Sequence, residues 1–169
     1  MAALTVGNDL TRWFPQPLFT RPDVDKFVTE ALTLAETQQA LPFAIVDAQG
    51  RIAGTTRFGA IAPEHRRVEI GWTFVGAAWQ RTPVNTAAKL LLMTHGFERL
   101  GCNRIELKTD SRNSVSRAAI ARLGATEEGI LRHHVICADG HLRDTVYFSV
   151  LAHEWAPVKA GLLARLAPQ

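Results

Sequence analysis

Residues 67–86 read RVEIGWTFVGAAWQRTPVNT, and this stretch joins a strand pattern to a helix start. Between Arg67 and Phe74, apolar side chains alternate with polar or small ones, which is the two-residue period of a strand with one buried face. The predicted apolar face carries Val68, Ile70, Trp72 and Phe74, and the opposite face carries Arg67, Glu69, Gly71 and Thr73. The pattern therefore predicts a strand with two chemically distinct faces.

The end of the same stretch predicts the start of a helix. Thr82 supplies a hydroxyl that can cap free N–H groups, and Pro83 has the fixed φ that suits a first helical turn. The pattern continues to Leu100, and Gly101 is placed to end the helix. A helix N-terminus presents unpaired N–H groups and the positive end of a dipole, so it can bind an anion such as a pyrophosphate. An ordinary capped helix explains the same residues when they are considered alone.

The segments on either side predict further strands and helices. Upstream, a helix over Asp23–Gln39 precedes a hairpin formed by Phe43–Val46 and Arg51–Phe58. The downstream pattern predicts a strand at Arg104–Thr109, a helix at Asn113–Leu123, a hairpin of Ala125–Val135 and Arg143–Leu151, and a C-terminal helix with Trp155, Val158, Leu162 and Leu166 on one side. This order predicts an α/β fold in which helices cover a mixed sheet.

Composition and charge narrow the class of protein. The chain has 169 residues, of which 47% are hydrophobic, so we expect one domain with a sizeable core. The two cysteines, Cys102 and Cys137, give neither a disulfide framework nor a metal-site spacing, so no metal is expected. No apolar run approaches the roughly 18 residues of a membrane span, and we predict a cytoplasmic protein without a membrane partner. The net charge of +3 suits a nucleotide-bearing ligand at least as well as nucleic acid.

Several motifs follow one another along the chain. In order they are Glu69–Trp72, the turn and helix start at Trp79–Thr86, Asn103–Asp110, Asn113–Ser116 and Leu123–Ala125. Together they resemble the GNAT superfamily, and specifically its ribosomal-protein and related N-acetyltransferases of the Rim type. The resemblance implies a GNAT fold with a mostly antiparallel sheet and helices on both faces. It also implies that acetyl-CoA lies where two central parallel strands separate.

The resemblance covers Phe43 to Glu154 and implies a single acetyltransferase domain over residues 1–169. The family begins with a strand ahead of its first helices, whereas this sequence passes almost directly into Leu4–Trp13. Either the given sequence starts late, or the sheet edge near Phe43–Val46 is covered by the terminus or by a partner subunit. A homodimer is therefore one expectation.

The cofactor loop departs from the family's pattern. Where the family has an arginine or glutamine, two spacers, a glycine, one spacer and a glycine or alanine, this chain has WQRTPV over residues 79–84. Glycine lets backbone N–H groups approach the phosphates closely, and we interpret Thr82 as a substitute whose hydroxyl can bond a phosphate. The cofactor-binding residues implied by the resemblance are Phe74, Val75, Gln80, Arg81, Thr82, Pro83, Val84, Asn85, Thr86, Asn113 and Ser116.

Acetyl transfer to an amine requires an acceptor for the amine proton and a donor to the departing thiolate. By resemblance, Glu69 is the candidate base, acting through water, although an ion-paired glutamate beside Arg66 or Arg67 explains this residue equally well. Asn113 lies where the family places an asparagine that contacts the pantetheine arm, and it can also cap a helix. Ser116 lies where a serine can approach the cofactor sulfur, which makes it the second candidate catalytic residue.

The leading hypothesis is direct transfer of acetyl from acetyl-CoA to a primary amine in a ternary complex. The acceptor stays open between a protein N-terminus, a ribosomal protein, an amino acid and a small amine. The final hairpin, with Arg143 and Tyr147, is a candidate lining for its pocket, and the Trp13–Phe14 loop is a candidate cover. The alternative is a CoA-binding sensor or interaction module without catalysis, because Thr82 and Val84 replace small residues. Direct nucleic-acid binding has only the mild positive charge in its favour.

Overall fold

Over residues 9–167, which the computed structural model describes, strands and helices follow one another in the predicted order. The strands are β1 (Leu41–Val46), β2 (Ile52–Ala62), β3 (Arg67–Val75), β4 (Arg104–Asp110), β5 (Thr126–Ile136) and β6 (Leu142–Leu151). The helices are α1 (Arg21–Glu36), α2 (Val84–Thr94), α3 (Ser114–Ala121) and α4 (Trp155–Leu166). Residues 1–8 lie outside the described part of the chain, so the expectation that a first strand is missing there is not tested.

The strands form one sheet in the order β1-β2-β3-β4-β6-β5. Every neighbouring pair is antiparallel except β3 and β4, which are parallel. The predicted mixed, mostly antiparallel sheet with a central parallel pair is therefore confirmed. The first hairpin turns at Asp47–Gly50, where Gly50 has a φ of 77°, a conformation that glycine adopts without steric cost.

The two parallel strands pair over only a short length. Their register joins Arg67 to Arg104, Val68 to Ile105 and Glu69 to Glu106. Beyond that point β4 continues to pair with β6 as far as Asp110, and β3 continues to pair with β2 as far as Val75. Within the described residues, β3 and β4 therefore separate after Glu69 and Glu106, and their facing backbone edges have no strand between them.

The sheet has one apolar face, which packs against α2, α3 and α4. This apolar face consists of Val68, Ile70, Ile105, Leu107, Val146, Phe148 and Val150, buried with Leu92, Met93, Ile120, Trp155, Val158 and Leu162. On the other side of the sheet, Phe74 packs with Leu18 and with Val24 of α1. Helices thus lie on both faces, as predicted.

The same strands present charged and polar side chains on the opposite face. Because neighbours along a strand alternate, this charged face carries Glu69, Glu106, Lys108, Asp110, Arg143, Thr145 and Tyr147. Most of these side chains are buried even though they are polar. Burial of polar groups is costly unless they are paired, so this face is where a functional role is expected.

A bulge in β3 overturns part of the predicted alternation. Trp72 has a φ of 50°, and the β2–β3 register shifts by one residue between Thr55 and Arg57. As a result Trp72 lies beside Arg57, Thr73 points to Lys89 of α2, and Phe74 packs against Phe27 of α1. The prediction that Val68, Ile70, Trp72 and Phe74 share one face is wrong beyond Gly71, because the extra residue reverses which side chains face α2.

Helix ends differ from the sequence pattern by a few residues. Thr20 and Asp23 form a capping box, so α1 begins at Arg21 and not at Asp23, and it ends at Glu36. α2 ends at Thr94 and continues as a π-helical turn over His95–Arg99 before Gly101, where a φ of 64° stops it. Among the described helices, none has the length and apolar character needed to cross a membrane.

Candidate active site

The start of α2 is left open by the side chains around it. Pro83 occupies the N-cap position, and no side chain caps the helix from there. The Thr82 hydroxyl donates to the Trp79 carbonyl at 2.6 Å and accepts from the Val84 N–H at only 3.4 Å. The predicted cap with Pro83 in the first turn is therefore displaced by one residue. The N–H groups of Asn85 and Thr86 follow, where an α-helix has no internal partner for them.

The loop before α2 adds one free cation, and the first turn of α2 adds one free acceptor. Arg81 has a φ of 60° and an exposed side chain, with no carboxylate within 4.0 Å in the described part of the chain. Gln80 uses its amide to donate to the Val75 carbonyl at 3.3 Å. The Oδ1 atom of Asn85 is buried and accepts no hydrogen bond from residues 9–167. Together, the loop and the first turn of α2 thus offer a positive group, helix N–H groups and an unfilled acceptor to a ligand.

The last residues of β3, Phe74 and Val75, border the candidate site with their backbone and not with their side chains. The Phe74 ring lies 6.3 Å from the rings of both Phe14 and Phe27, so this side chain belongs to the core cluster with α1. Val75 pairs with Gly54 on the β2 side. In the described structure β3 has a strand partner only on its β2 side at these positions, so the gap between β3 and β4 lies along its other side.

The start of α3 is closed, in contrast to that of α2. Asn113 is its N-cap, and the Oδ1 atom of Asn113 accepts from the Ser116 N–H at 3.0 Å. The capping role considered for Asn113 is confirmed, and its amide N–H₂ group stays available to a ligand. Ser116 is half-buried in the first turn, immediately after β4 ends.

Glu69 lies at the last paired position of β3, where the gap opens. Its Oε2 atom is 2.9 Å from Lys108 Nζ, and the Lys108 ammonium lies 4.5 Å from the centre of the Tyr147 ring. Arg67 instead pairs with Glu106 at 3.1 Å, so the ion pair of Glu69 is formed with Lys108 and not with Arg66 or Arg67. Burial alone would lower the pKa of Lys108, but the Glu69 carboxylate and the Tyr147 hydroxyl raise it.

The carboxylate of Glu69 is aimed along its own strand. A Cβ atom added to Gly71 would lie 2.7 Å from Glu69 Oε1, which shows how closely the side chain crosses that glycine. Glycine at this position therefore leaves room for the carboxylate to reach Lys108 at the mouth of the gap. Glu69 and Lys108 form a buried, charged pair beside the separated strand edges.

Two functional candidates were missed by sequence reasoning. Lys108 could have been found, because Arg104, Glu106, Lys108 and Asp110 alternate along a strand that also carries buried apolar residues. Lys89 could not, because its environment depends on the bulge: its Nζ is buried and donates to Thr73 at 2.8 Å and to Thr56 at 3.4 Å. Burial lowers the pKa of Lys89 to about 7, against the opposing effect of Glu69.

The chain was compared with known families and structures. The Acetyltransferase (GNAT) domain family matches residues 1–126. A Bacillus subtilis protein named "Putative ribosomal N-acetyltransferase YdaF" is 32% identical over 106 residues, which are 63% of this chain and 57% of that protein. The chain spans about three fifths of the length of the curated relatives it matches.

Two solved structures show the same architecture. A GCN5-related N-acetyltransferase from Brucella melitensis is 35% identical with a TM-score of 0.87, over 99% of this chain and 76% of that one. Mycobacterium smegmatis RimJ, solved in complex with CoA-disulfide, is 26% identical with a TM-score of 0.73, over 85% of this chain and 68% of that one. With the separated parallel strands and the open helix start, these similarities place the chain in the GNAT acetyltransferase family, in its RimJ/RimL-like branch.

Proposed function

We propose that the protein transfers the acetyl group of acetyl-CoA to a primary amine by direct attack in a ternary complex. The observation that carries the proposal is the separation of β3 from β4 after Glu69 and Glu106, which leaves two strand edges free to pair with an extended ligand arm. GNAT acetyltransferases use acetyl-CoA, and the RimJ structure contains a CoA derivative.

The residues present fit this co-substrate. The open start of α2 and the Arg81 guanidinium suit the pyrophosphate, and the buried, unpartnered Oδ1 atom of Asn85 suits a ligand donor. The backbone of Phe74 and Val75, together with the Asn113 amide, suits the pantetheine arm. When bound, acetyl-CoA supplies the thioester that the amine attacks and the thiol that leaves.

Glu69 is proposed to accept the proton of the attacking amine, directly or through water. The Lys108 ammonium, 2.9 Å from the carboxylate, orients it at the mouth of the gap. Ser116 is proposed to donate a hydrogen bond to the departing sulfur. Overall a C–N bond forms, the C–S bond breaks, and the proton lost by the amine nitrogen ends on the sulfur.

The acceptor is proposed to be a peptide or protein amine. Support comes from the ribosomal N-acetyltransferase name of YdaF and from the RimJ-like fold. Such an amine would approach from the charged face, where Glu69 and Lys108 lie beside the gap between β3 and β4. Small amines should be tested as acceptors alongside peptides.

The test has two stages. Acetyl-CoA should raise the thermal unfolding temperature, and thiol release should then be measured with peptides, amino acids and small amines. Stabilisation without thiol release from any acceptor would favour the non-catalytic CoA-binding module, whereas absence of stabilisation would contradict both functions.

Ser116→Ala should lower kcat more than it weakens acetyl-CoA binding, and an unchanged kcat at saturating amine would remove Ser116 from the mechanism.

The expected homodimer stays a prediction. β1 forms one edge of the sheet, and Leu41, Phe43 and Val46 on it are exposed by 43%, 38% and 52%. Exposed apolar edge strands are places where a second chain can pair. A light-scattering mass of two chains would support a dimer, and a mass of one chain would contradict it.

A further inference from the structure

Arg143 is a buried cation whose desolvation is only partly offset by neighbouring acidic groups. Its side chain lies on the charged face, and the residue exposes only 8% of its surface. Its Nη1 atom donates to the Trp13 carbonyl at 3.4 Å, and its Nε atom is buried without a hydrogen-bond partner in the described part of the chain. Over residues 9–167 no carboxylate lies within 4.0 Å of it; Asp110, which pairs with Arg112 at 2.8 Å, and Glu69 act on its charge only from longer range. A buried charge left in this state is strongly destabilising unless another group pairs with it.

Thr145, two residues along β6 from Arg143, also has a buried side-chain polar atom without a hydrogen-bond partner in the described residues. The residue is 1% exposed, and its hydroxyl is buried without a partner in the described structure. Residues two apart in a strand share a face, so the Thr145 hydroxyl and the Arg143 guanidinium point to the same side. Both groups can donate hydrogen bonds, and an oxyanion is the ligand that accepts from both.

These two residues belong to the same face as the proposed reaction centre. Tyr147, a further two residues along β6, contacts Lys108, which holds Glu69. At about 3.3 Å per residue, Arg143 lies roughly 13 Å along the strand from Tyr147. The Trp13 backbone, which bonds to Arg143, places the N-terminal loop over this end of the face. Thr145 lies two residues and Arg143 four residues along the strand from Tyr147, so the unpaired donors lie about two to four extended residues from the position of the attacking amine.

We propose that Arg143 and Thr145 bind a carboxylate carried by the amine acceptor, and that the acceptor is a peptide with an acidic side chain about two to four residues from its amino group. The inference rests on the proposed acetyltransferase function and specifies its substrate. The distance favours a side chain of a peptide over the α-carboxylate of a free amino acid, whose amine and carboxylate are adjacent. Both sources share the same chemistry, and the experiment separates them.

The experiment compares acceptors that differ only in charge. Tetrapeptides with one glutamate at position 2, 3 or 4 are compared with their glutamine counterparts, and free amino acids are compared with their amides. For wild type, at least one glutamate peptide should have a kcat/KM roughly 10-fold or more above its glutamine partner, as expected for charge-assisted hydrogen bonds. A preference confined to free amino acids would assign the anion to the α-carboxylate, and no preference in either set would overturn the proposal.

Variants assign the preference to these residues. Arg143→Gln should bring the glutamate-to-glutamine ratio of kcat/KM close to one, whatever its effect on the glutamine peptide alone. Thr145→Val should reduce the ratio by a smaller factor without a folding cost, because the hydroxyl has no described partner in the protein. Arg132→Gln, on the exposed strand β5, is the matched control and should keep the wild-type ratio. An unchanged ratio in both Arg143→Gln and Thr145→Val would overturn the proposal.

A binding measurement separates failure of this inference from failure of the proposed function. Calorimetric titration of the acetyl-CoA-loaded protein with the same peptides reports recognition even where no thiol is released. Tighter binding of a glutamate peptide that is lost in Arg143→Gln or Thr145→Val would support the site without any catalysis. Equal binding of both peptides by wild type, with thiol released from both, would leave the acetyltransferase function intact and refute the anion site.

Discussion

The two faces of the central sheet are built from the same strands and differ in what they bury. On the apolar face, Leu107 and Phe148 are neighbours across β4 and β6 and expose 2% and 1% of their surfaces. On the charged face, the next pair along, Lys108 and Tyr147, lies beside Glu69. Burying apolar groups stabilises a fold, whereas burying charges costs free energy. This difference is what is expected if the first face maintains the structure and the second binds the proposed substrates.

The largest effect is expected from Glu69→Gln on the charged face. If the carboxylate accepts the amine proton, kcat should fall by about 100- to 10,000-fold, the range for a lost general base, while acetyl-CoA binding is retained. Gly71→Ala tests the same atom without changing any charge, because the added Cβ would lie 2.7 Å from Glu69 Oε1 and must displace it. Steady-state thiol release, with a thermal shift for acetyl-CoA binding, provides both measurements.

Glu106→Gln is the matched control for the loss of a buried carboxylate. Glu106 bonds to Arg67 and Arg104 and lies on the same face, one strand away from Glu69. This variant should lower stability but keep a kcat close to wild type for the folded fraction. Equal losses of kcat in Glu69→Gln and Glu106→Gln would show that the face needs its overall charge pattern and not a specific base.

The apolar face should respond in the opposite way. Phe148→Ala should reduce the free energy of unfolding by about 3–5 kcal/mol, because it leaves a cavity in a packed core. Tyr147→Phe, the adjacent residue on the charged face, removes only a hydroxyl and should cost about 1 kcal/mol in stability. Urea unfolding of the two variants compares the faces directly. A larger stability loss for Tyr147→Phe than for Phe148→Ala would contradict the conclusion that the apolar face, and not the charged face, maintains the structure.

Arg81→Glu tests whether acetyl-CoA binding also depends on a residue outside the charged face. Arg81 lies at the start of α2, outside both faces, and no carboxylate among residues 9–167 pairs with it. A carboxylate there would oppose both the helix dipole and a bound phosphate, so acetyl-CoA affinity should fall by roughly 10-fold, and more at low salt. The same reversal at the exposed Arg132 is the control. Unchanged affinity in Arg81→Glu would move the phosphate site away from this helix start.

The comparison also shows which features a sequence can predict. Strand and helix order follow from local patterns, and the turn at Asp47–Gly50 and the cap at Asn113 are set by residues close together in the chain. The ion pair of Glu69 was not predicted, because Lys108 comes from a strand 39 residues further along the chain. The reversal at Trp72 was not predicted either, because a bulge arises from the register between two strands. The sequence predicts Arg143 as a lining residue, but the lack of a partner for its buried Nε among residues 9–167 is visible only in three dimensions.

Lys89 is the exception to the division between faces, since α2 carries this ionisable side chain on the apolar side, where the bulge turns the Thr73 hydroxyl towards it. The pKa of Lys89 is lowered to about 7 by burial, from an ordinary value of 10.5. Between these values the unfolded chain holds a proton that the folded chain has released. Unfolding therefore takes up a proton, and stability should increase with pH across this window by at most about 1.4 kcal/mol per unit. Lys89→Met should remove this slope, which urea unfolding at several pH values between 7 and 10 measures. A slope identical to wild type would mean that Lys89 stays protonated in the fold, held by Thr56, Thr73 and the charge of Glu69.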